Sequence, residues 1–484
     1  MDRKVIHSFI WKLLERFSAQ IITFIISLLL ARLLDPNHYG MMSIITIFIT
    51  LADIFIHNGF NTSLIQSKSV DDDDYSSVFW ISEIVAIILC VILFFCIPYI
   101  AIFYNMFEII IPFRVMSLVL IPGAYNSIQI AKINRELDFK KLFILNTISN
   151  IFGGILGIIT ALFGFGLWSL VIQRMSGTLL SCIVLSFIVK WKPKFVFNIE
   201  RVKVLFSFGW KLLISSLLDT GYQNLQSLVI GKKYDTNTLA YNDRGKHFSQ
   251  FIMSAVNDTV LAVMLPTMSK EQDNVLKVKS LTQKSMTVTS YLVFPMMAGL
   301  AAIAKPLVTV LLTEKWLECV PYMQIYCFIF AFYPVHSCNL QALNALGRSD
   351  LFLKLEIIKK TYGIISIIIA VFCFNSPLAI CGVGLVTTWL GWFVNSYPNK
   401  KLLNYSMKEQ LLDLLPSILV TLIMFIGVLL IGKLNINNVL LLIIQIISGI
   451  LIYFVFSMII KPSAFIFIKE YALDIINNIG KTNG

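Results

Sequence analysis

Several signatures of soluble and catalytic proteins are missing from this 484-residue sequence. Only 14% of its residues are charged, which is little for a water-soluble chain of this length. It contains no GxxxxGK[ST] loop, so direct ATP hydrolysis is not indicated. The eight cysteines form no CxxC or Cys/His pattern and the five histidines are scattered. We therefore expect no metal site, no disulfide framework, no cofactor and no catalytic residues.

Apolar residues dominate instead, at 57% of the chain with a mean hydropathy of +0.80. Continuous apolar runs of about 20 residues match the thickness of a bilayer core. The sequence therefore predicts an all-α polytopic membrane protein with about 14 transmembrane helices. The predicted spans are 8–32, 40–64, 77–101, 109–131, 142–163, 167–189, 204–231, 238–264, 285–304, 319–346, 353–374, 377–397, 411–432 and 437–460.

The basic residues indicate the orientation of these spans. If the N-terminus is cytoplasmic, 24 Lys and Arg residues fall in inner segments and 5 in outer segments. This bias predicts that both termini are cytoplasmic. It also accounts for most of the net charge of +12, so we expect no nucleic-acid partner. Because the first apolar run contains Lys12, Glu15 and Arg16, we do not expect a cleaved signal peptide.

A short segment occurs twice and suggests an internal repeat. Ser8–Leu14 reads SFIWKLL and Ser207–Leu213 reads SFGWKLL. A similarity at a fixed offset is a signal of repeated architecture. The sequence therefore predicts two parallel six-helix lobes plus two extra C-terminal helices. The predicted divisions are an N-terminal lobe at 1–189, a cytoplasmic linker at 190–203, a C-terminal lobe at 204–400, two extra transmembrane helices at 401–461 and a cytoplasmic tail at 462–484.

Polar side chains recur at helical spacing on the first two predicted spans of each repeat. On the first span, Lys12, Arg16, Gln20, Thr23 and Ser27 are separated by three or four residues, so they share one helix face. The second, seventh and eighth spans carry similar stripes. Two interpretations stay open: the stripes line a hydrated cavity between the lobes, or they hydrogen-bond helices to one another in a packed bundle.

Charged members of these stripes favour the cavity, because isolated charges within a bilayer are costly. A cationic cavity suits an anionic ligand, and guanidinium groups match the paired oxygens of a phosphate. The acidic members either pair with these cations or take up H⁺ or Na⁺ as coupling ions. The candidate substrate-binding residues are Lys12, Arg16, Arg174, Lys211 and Arg244, and the candidate acidic residues are Asp53, Asp219 and Asp258.

Three local motifs resemble those of a known transporter family. Arg32–Gly40 reads RLLDPNHYG and resembles an "LGPxxYG" turn, with Asp35 where glycine is usual. Arg135–Leu142 resembles the segment after the fourth helix, and Lys315-Trp316 resembles a "KW" pair near the tenth. In this order along the chain, the motifs are similar to those of the multidrug/oligosaccharidyl-lipid/polysaccharide (MOP) exporter superfamily, most of all its Wzx/WzxC-type lipopolysaccharide, O-antigen or exopolysaccharide flippases.

The resemblance implies a function. Such proteins move an undecaprenyl-diphosphate-linked oligosaccharide from the inner to the outer leaflet of the bacterial inner (plasma) membrane, through a cavity that opens alternately to each side. It implies the lipid bilayer and a lipid-linked oligosaccharide as partners, together with a polysaccharide polymerase. Three alternatives remain: a multidrug exporter coupled to H⁺ or Na⁺, a lipid II flippase, and a membrane-embedded polysaccharide polymerase or ligase.

Overall fold

The computed structural model describes residues 3–57, 64 and 70–482. Its contacts divide the chain into two compact units, Met1–Ala240 and Tyr241–Gly484. Throughout the described ranges the regular structure is helical, and no strand is assigned there. The predicted all-α class is therefore confirmed. The boundary between these units lies after Ala240, whereas the sequence predicts a boundary at the linker 190–203. The predicted lobes and linker therefore stay a prediction.

Eight helices lie entirely within the first unit, counted over its described residues. Its helices are α1 (Arg3–Leu33), α2 (Pro36–His57), α3 (Asp72–Tyr104), α4 (Ile110–Ser117), α5 (Leu120–Glu136), α6 (Phe139–Leu162), α7 (Leu167–Ile188) and α8 (Ile199–Lys233), with a 3₁₀ turn at Phe107–Ile109.

A ninth helix, α9 (Thr236–Ser269), begins in the first unit and continues into the second. The remaining helices of the second unit are α10 (Val275–Ala302), α11 (Ala304–Leu312), α12 (Val320–Ala331), α13 (Tyr333–Ala345), α14 (Ser349–Cys373), α15 (Pro377–Leu402), α16 (Met407–Ile431), α17 (Asn438–Ile460) and α18 (Ser463–Thr482), with a 3₁₀ segment at Glu314–Cys319.

Over the described residues, each of the fourteen predicted spans overlaps one of these helices or two consecutive ones. Residues 58–63 of the predicted span 40–64 lie outside the described residues. By length and composition, ten helical segments among the described residues can cross a membrane. The four predicted spans outside that set are 204–231, 238–264, 319–346 and 353–374. The spans 238–264 and 353–374 carry four charged residues each, and 204–231 carries two. The span 319–346 is interrupted at Phe332, where α12 ends and α13 begins. The chain is a multi-pass membrane protein, and the count of fourteen spans stays a prediction.

Acidic residues fix the start of α3. The Asp71 carboxylate accepts a hydrogen bond from the backbone N–H of Asp74, and the Asp74 side chain accepts one from the N–H of Asp71. This capping box satisfies two donors that a helix start otherwise leaves unpaired. Two further carboxylates pair with lysines, Asp72 with Lys132 at 3.2 Å and Asp73 with Lys194 at 3.5 Å. The run of four aspartates is thus accounted for by capping and pairing.

Glycines allow α6 to approach both of its neighbours closely. A Cβ atom at Gly153 would lie 2.6 Å from the backbone oxygen of Gln173 on α7. A Cβ atom at Gly157 would lie 2.8 Å from the Cβ of the same glutamine, and one at Gly154 would collide with Ile26 on α1. Because only glycine fits at these contacts, α6 is held tightly between α1 and α7.

A buried network of amides joins three helices of the second unit. Asn339 on α13 exchanges two hydrogen bonds with Gln410 on α16, at 3.0 and 2.9 Å. Asn399 on α15 donates to the Asn339 side chain at 2.7 Å, and the Trp392 indole donates to Gln410 at 2.8 Å. Since all four side chains are buried, these bonds fix the position of α16 relative to α13 and α15.

Candidate functional site

A polar cavity lies within the first unit, among helices of membrane-spanning length. It has a volume of about 450 Å³, and α1, α2, α5, α6 and α7 contribute to its wall. Hydroxyl and amide side chains make up most of the polar lining. The wall comprises Thr23, Ile26, Tyr39, Met42, Thr46, Asn126, Asn146, Ser149, Asn150, Gly153, Gly154, Leu170, Gln173, Arg174, Gly177, Thr178 and Ser181.

Two buried side chains of the wall each have a polar atom that is left without a hydrogen bond to any described residue. Asn126 on α5 donates through Nδ2 to the backbone oxygen of Thr178 on α7 at 3.1 Å, which leaves its Oδ1 facing elsewhere. Within the described part of the chain, neither that Oδ1 atom nor the Ser149 hydroxyl has a hydrogen-bond partner. Asn126 is 7% exposed and Ser149 is 4% exposed. A buried polar atom without a partner is costly, so both positions favour a polar ligand.

Arg174 is the charged residue of the cavity wall. It lies in the second turn of α7 and its side chain is exposed. Among the described residues, no carboxylate forms an ion pair with it. An accessible guanidinium with its donors uncommitted is suited to paired oxygens of a carboxylate or phosphate. The structure thus places one of the predicted substrate-binding residues in a cavity, within the first unit.

A buried carboxylate links the start of α1 to this wall. Glu15, 9% exposed, forms an ion pair with Lys12 at 2.8 Å and accepts a hydrogen bond from Asn146 Nδ2 at 2.6 Å. Asn146 also lines the cavity. The Lys12 amine additionally lies 5.2 Å from the centre of the Phe139 ring. Lys12 is therefore engaged by Glu15, which was not among the predicted site residues.

The other predicted site residues of the first unit lie outside this cavity wall. Asp53 on α2 is 3.1 Å from His57 Nδ1, one helical turn later. Asp219 on α8 accepts a hydrogen bond from Gln223 at 2.6 Å. Lys211, also on α8, and Arg16 on α1 are exposed. None of the described residues that line the cavity is one of these four.

Arg244 has a different environment in the second unit. It is buried, at 6% exposure, and its guanidinium carbon is 5.0 Å from the centre of the Trp316 ring. Trp316 is fully buried and also packs edge-on against Tyr241, whose hydroxyl donates to the Lys315 backbone oxygen. Arg244 thus anchors the Lys315-Trp316 segment. The remaining predicted residue, Asp258, has a side chain that lies outside the described ones.

The arrangement is suited to binding a polar ligand. Its wall offers amides, hydroxyls and one guanidinium, with aromatic carbon from Tyr39. A volume in this range is typical of small-molecule sites. Such donors and acceptors match a ligand that carries many hydroxyl groups and an acidic group.

A family model confirms the relation that the motifs suggested. The model for a polysaccharide biosynthesis protein family (Polysacc_synt_3) matches residues 29–321, which is more than half of the chain. The chain belongs to this family. The matched region includes all of α2 to α7, and therefore most of the cavity wall.

Individual relatives are distant in sequence. The chain is 23% identical over 394 residues to the lipopolysaccharide biosynthesis protein WzxC of Escherichia coli (strain K12), covering 80% of this chain and 79% of WzxC. It is 24% identical over 306 residues to the succinoglycan biosynthesis transport protein ExoT of Rhizobium meliloti (strain 1021). That alignment covers 63% of this chain and 62% of the length of ExoT.

Solved structures show the same fold. An inward closed conformation of the lipid II flippase MurJ matches with a TM-score of 0.76 and 17% identity, covering 93% of this chain and 98% of MurJ. An inward-facing multidrug resistance MATE transporter of the MOP superfamily matches with a TM-score of 0.62 and 14% identity, covering 82% and 99% of the two chains. The chain therefore shares the fold of MurJ and of this MATE transporter.

Proposed function

We propose that this protein is a flippase rather than an enzyme, and that it moves an undecaprenyl-diphosphate-linked oligosaccharide from the inner to the outer leaflet of the bacterial plasma membrane. The observation that carries the proposal is the hydroxyl- and amide-lined cavity of about 450 Å³ inside helices of membrane-spanning length. The names of the relatives WzxC and ExoT and of the structural neighbour MurJ support the same class of cargo.

A physical argument connects the cavity to this reaction. A saccharide head cannot cross the hydrocarbon region unaided, because each hydroxyl would lose its hydrogen bonds to water there. Side chains such as Asn126, Ser149 and Gln173 can replace those bonds along the way. Alternating access of the cavity to the two sides then moves the head across, while the polyprenyl tail stays among lipid chains.

Individual roles follow from charge. Arg174 is proposed to bind an anionic group of the cargo, and Lys12, Arg16, Lys211 and Arg244 are further candidates for that role from their positions in the sequence. Asp53, Asp219 and Asp258 are candidate sites for H⁺ or Na⁺ as coupling ion. The excess of basic residues in the predicted inner segments supports cytoplasmic termini, and a polysaccharide polymerase is the proposed partner that receives the flipped unit.

Leaflet accessibility in proteoliposomes tests the proposal. A fluorescent undecaprenyl-diphosphate disaccharide is incorporated in both leaflets, and a membrane-impermeant reagent quenches the outer pool. With purified protein present, the quenched fraction should rise with time above that of protein-free vesicles, because inner-leaflet lipid reaches the outside. Equal time courses with and without protein would contradict the proposal. Export of an organic cation dye under those same conditions would favour the multidrug alternative.

A further inference from the structure

The cavity of the first unit combines a single charge with an otherwise uncharged wall. Arg174 supplies the positive charge, while the other polar members of the lining are hydroxyls and amides. The ion pair of Lys12 with Glu15 contacts the wall through Asn146. Because that pair is closed, it adds no net charge to the cavity. The described cavity therefore presents one cation to its ligand.

The spare hydrogen-bonding atoms are arranged on the same wall. The buried Oδ1 of Asn126 can only accept, and the buried Ser149 hydroxyl can accept or donate. Sugar hydroxyls supply both complementary groups. A guanidinium beside such atoms binds a planar carboxylate through two parallel hydrogen bonds. Together they match one sugar ring that carries a single carboxylate.

A diphosphate fits this wall less well. It carries at least two negative charges, and burial of a charge without compensation is costly. One guanidinium leaves part of that charge unmatched, whereas a hexuronic acid is matched in full. The charge count therefore points to the saccharide head of the cargo rather than to its diphosphate.

We propose that this cavity is a subsite for one acidic sugar unit of the lipid-linked saccharide, with its carboxylate bound by Arg174 and its hydroxyls by Asn126 and Ser149. The assignment rests on the proposed flippase function and adds a cargo preference to it. The protein accordingly serves the synthesis of an acidic polysaccharide.

Two matched probes test this preference in proteoliposomes. They are undecaprenyl-diphosphate disaccharides that are identical except that the distal sugar is a hexuronic acid in one and the neutral hexose in the other. Wild-type protein should flip the acidic probe about tenfold faster at sub-saturating concentration, since a hydrogen-bonded charge pair contributes a factor of this order. Arg174→Gln should abolish the difference by slowing the acidic probe alone.

Three variants serve as comparisons. Arg174→Lys keeps the positive charge but cannot form two parallel hydrogen bonds to a carboxylate, so it should retain an intermediate preference. Asn126→Leu should slow both probes by similar factors, because the hydroxyl contacts are common to them. Arg114→Gln removes a guanidinium that lies over the Phe94 ring and outside the cavity wall, and it should leave the preference unchanged. Thermal unfolding in detergent confirms that each variant is folded.

The outcomes separate this inference from the function on which it rests. If neither probe is flipped by the wild type, the flippase function itself is wrong. If both are flipped at equal rates, the function stands and the acidic subsite is wrong. If Arg174→Gln slows the two probes equally, Arg174 contacts the diphosphate that they share. A preference that survives in Arg174→Gln overturns the role of Arg174, and an unaltered rate in Asn126→Leu overturns the hydroxyl contacts.

Discussion

Single residues of the same type have different surroundings in this protein. Arg174 is exposed on a cavity wall, whereas Arg244 is buried against Trp316. Sequence patterning selected both because each is a cation within an apolar run. It could not separate them, since the difference depends on whether an aromatic ring some 70 residues away covers the guanidinium.

The residues that the sequence patterns did not identify are ones whose type and spacing do not distinguish them from ordinary helix-packing residues. Asn126 and Ser149 are uncharged polar residues of a kind that often bonds one membrane helix to another. Their importance comes from atoms that stay unpaired after folding, which no spacing in the sequence reveals. Glu15 was visible as a charge in the first apolar run, yet its link to Asn146 spans 131 residues.

The Lys12–Glu15 ion pair should contribute to the stability of the folded protein. Lys12→Met leaves the buried Glu15 carboxylate with Asn146 as its remaining described partner, so the unfolding temperature in detergent should fall. The loss is modest, because the Lys12 side chain is 46% exposed and water screens the pair. The double variant Lys12→Met/Glu15→Gln removes the unpaired charge and should recover most of the loss. A double variant that is less stable than Lys12→Met alone would contradict this account.

At the scale of helices, the hydrophobic runs located the elements but not their interruptions. The predicted span 109–131 is divided into α4 and α5 at Leu118–Val119, and the predicted span 319–346 is divided at Phe332. In the second case Pro334 occupies the first turn of α13, and proline lacks the N–H that would continue the preceding helix. Hydropathy averages over such breaks, because the residues on both sides are apolar.

Close packing of α6 against α7 should require glycine at position 153. Gly153→Ala places a Cβ atom where the backbone of Gln173 and Gly177 already lies, so the helices must separate and the cavity wall must distort. We expect a loss of stability of about 1–3 kcal/mol and slower flipping. Gly221→Ala is the matched control, because a Cβ there meets nothing within 4 Å, and helical alanine is favoured over glycine. Equal unfolding temperatures for the two variants would show that the Gly153 contact is unimportant.

At the scale of the whole molecule, composition alone predicted the class and the sequence motifs predicted the family. Over the described residues the predicted spans overlap helices, the family model shows the polysaccharide biosynthesis family, and the solved structures show the fold of MurJ and of a MATE transporter. The boundary between compact units, after Ala240, was not predicted. The repeat places the start of the second lobe at the helix that became α8, but that helix packs with α2 and α3 of the first unit. Its tertiary contacts, rather than its repeat position, determine the unit to which it belongs.

If cargo passes through the cavity of the first unit, a bulky side chain that fills this cavity must block transport. Ser181 on α7 lines the cavity, while Ile183, two residues later on the same helix, is 54% exposed and lies outside the wall. Ser181→Trp and Ile183→Trp therefore add the same indole to the same helix at positions that differ in access to the cavity.

The measurement is the initial rate of flipping of the undecaprenyl-diphosphate disaccharide by these two variants and the wild type, reconstituted at equal density. We predict a loss of at least tenfold for Ser181→Trp and a rate close to that of the wild type for Ile183→Trp. Wild-type flipping by a folded Ser181→Trp protein would contradict the account, because the saccharide would then cross the membrane by another route.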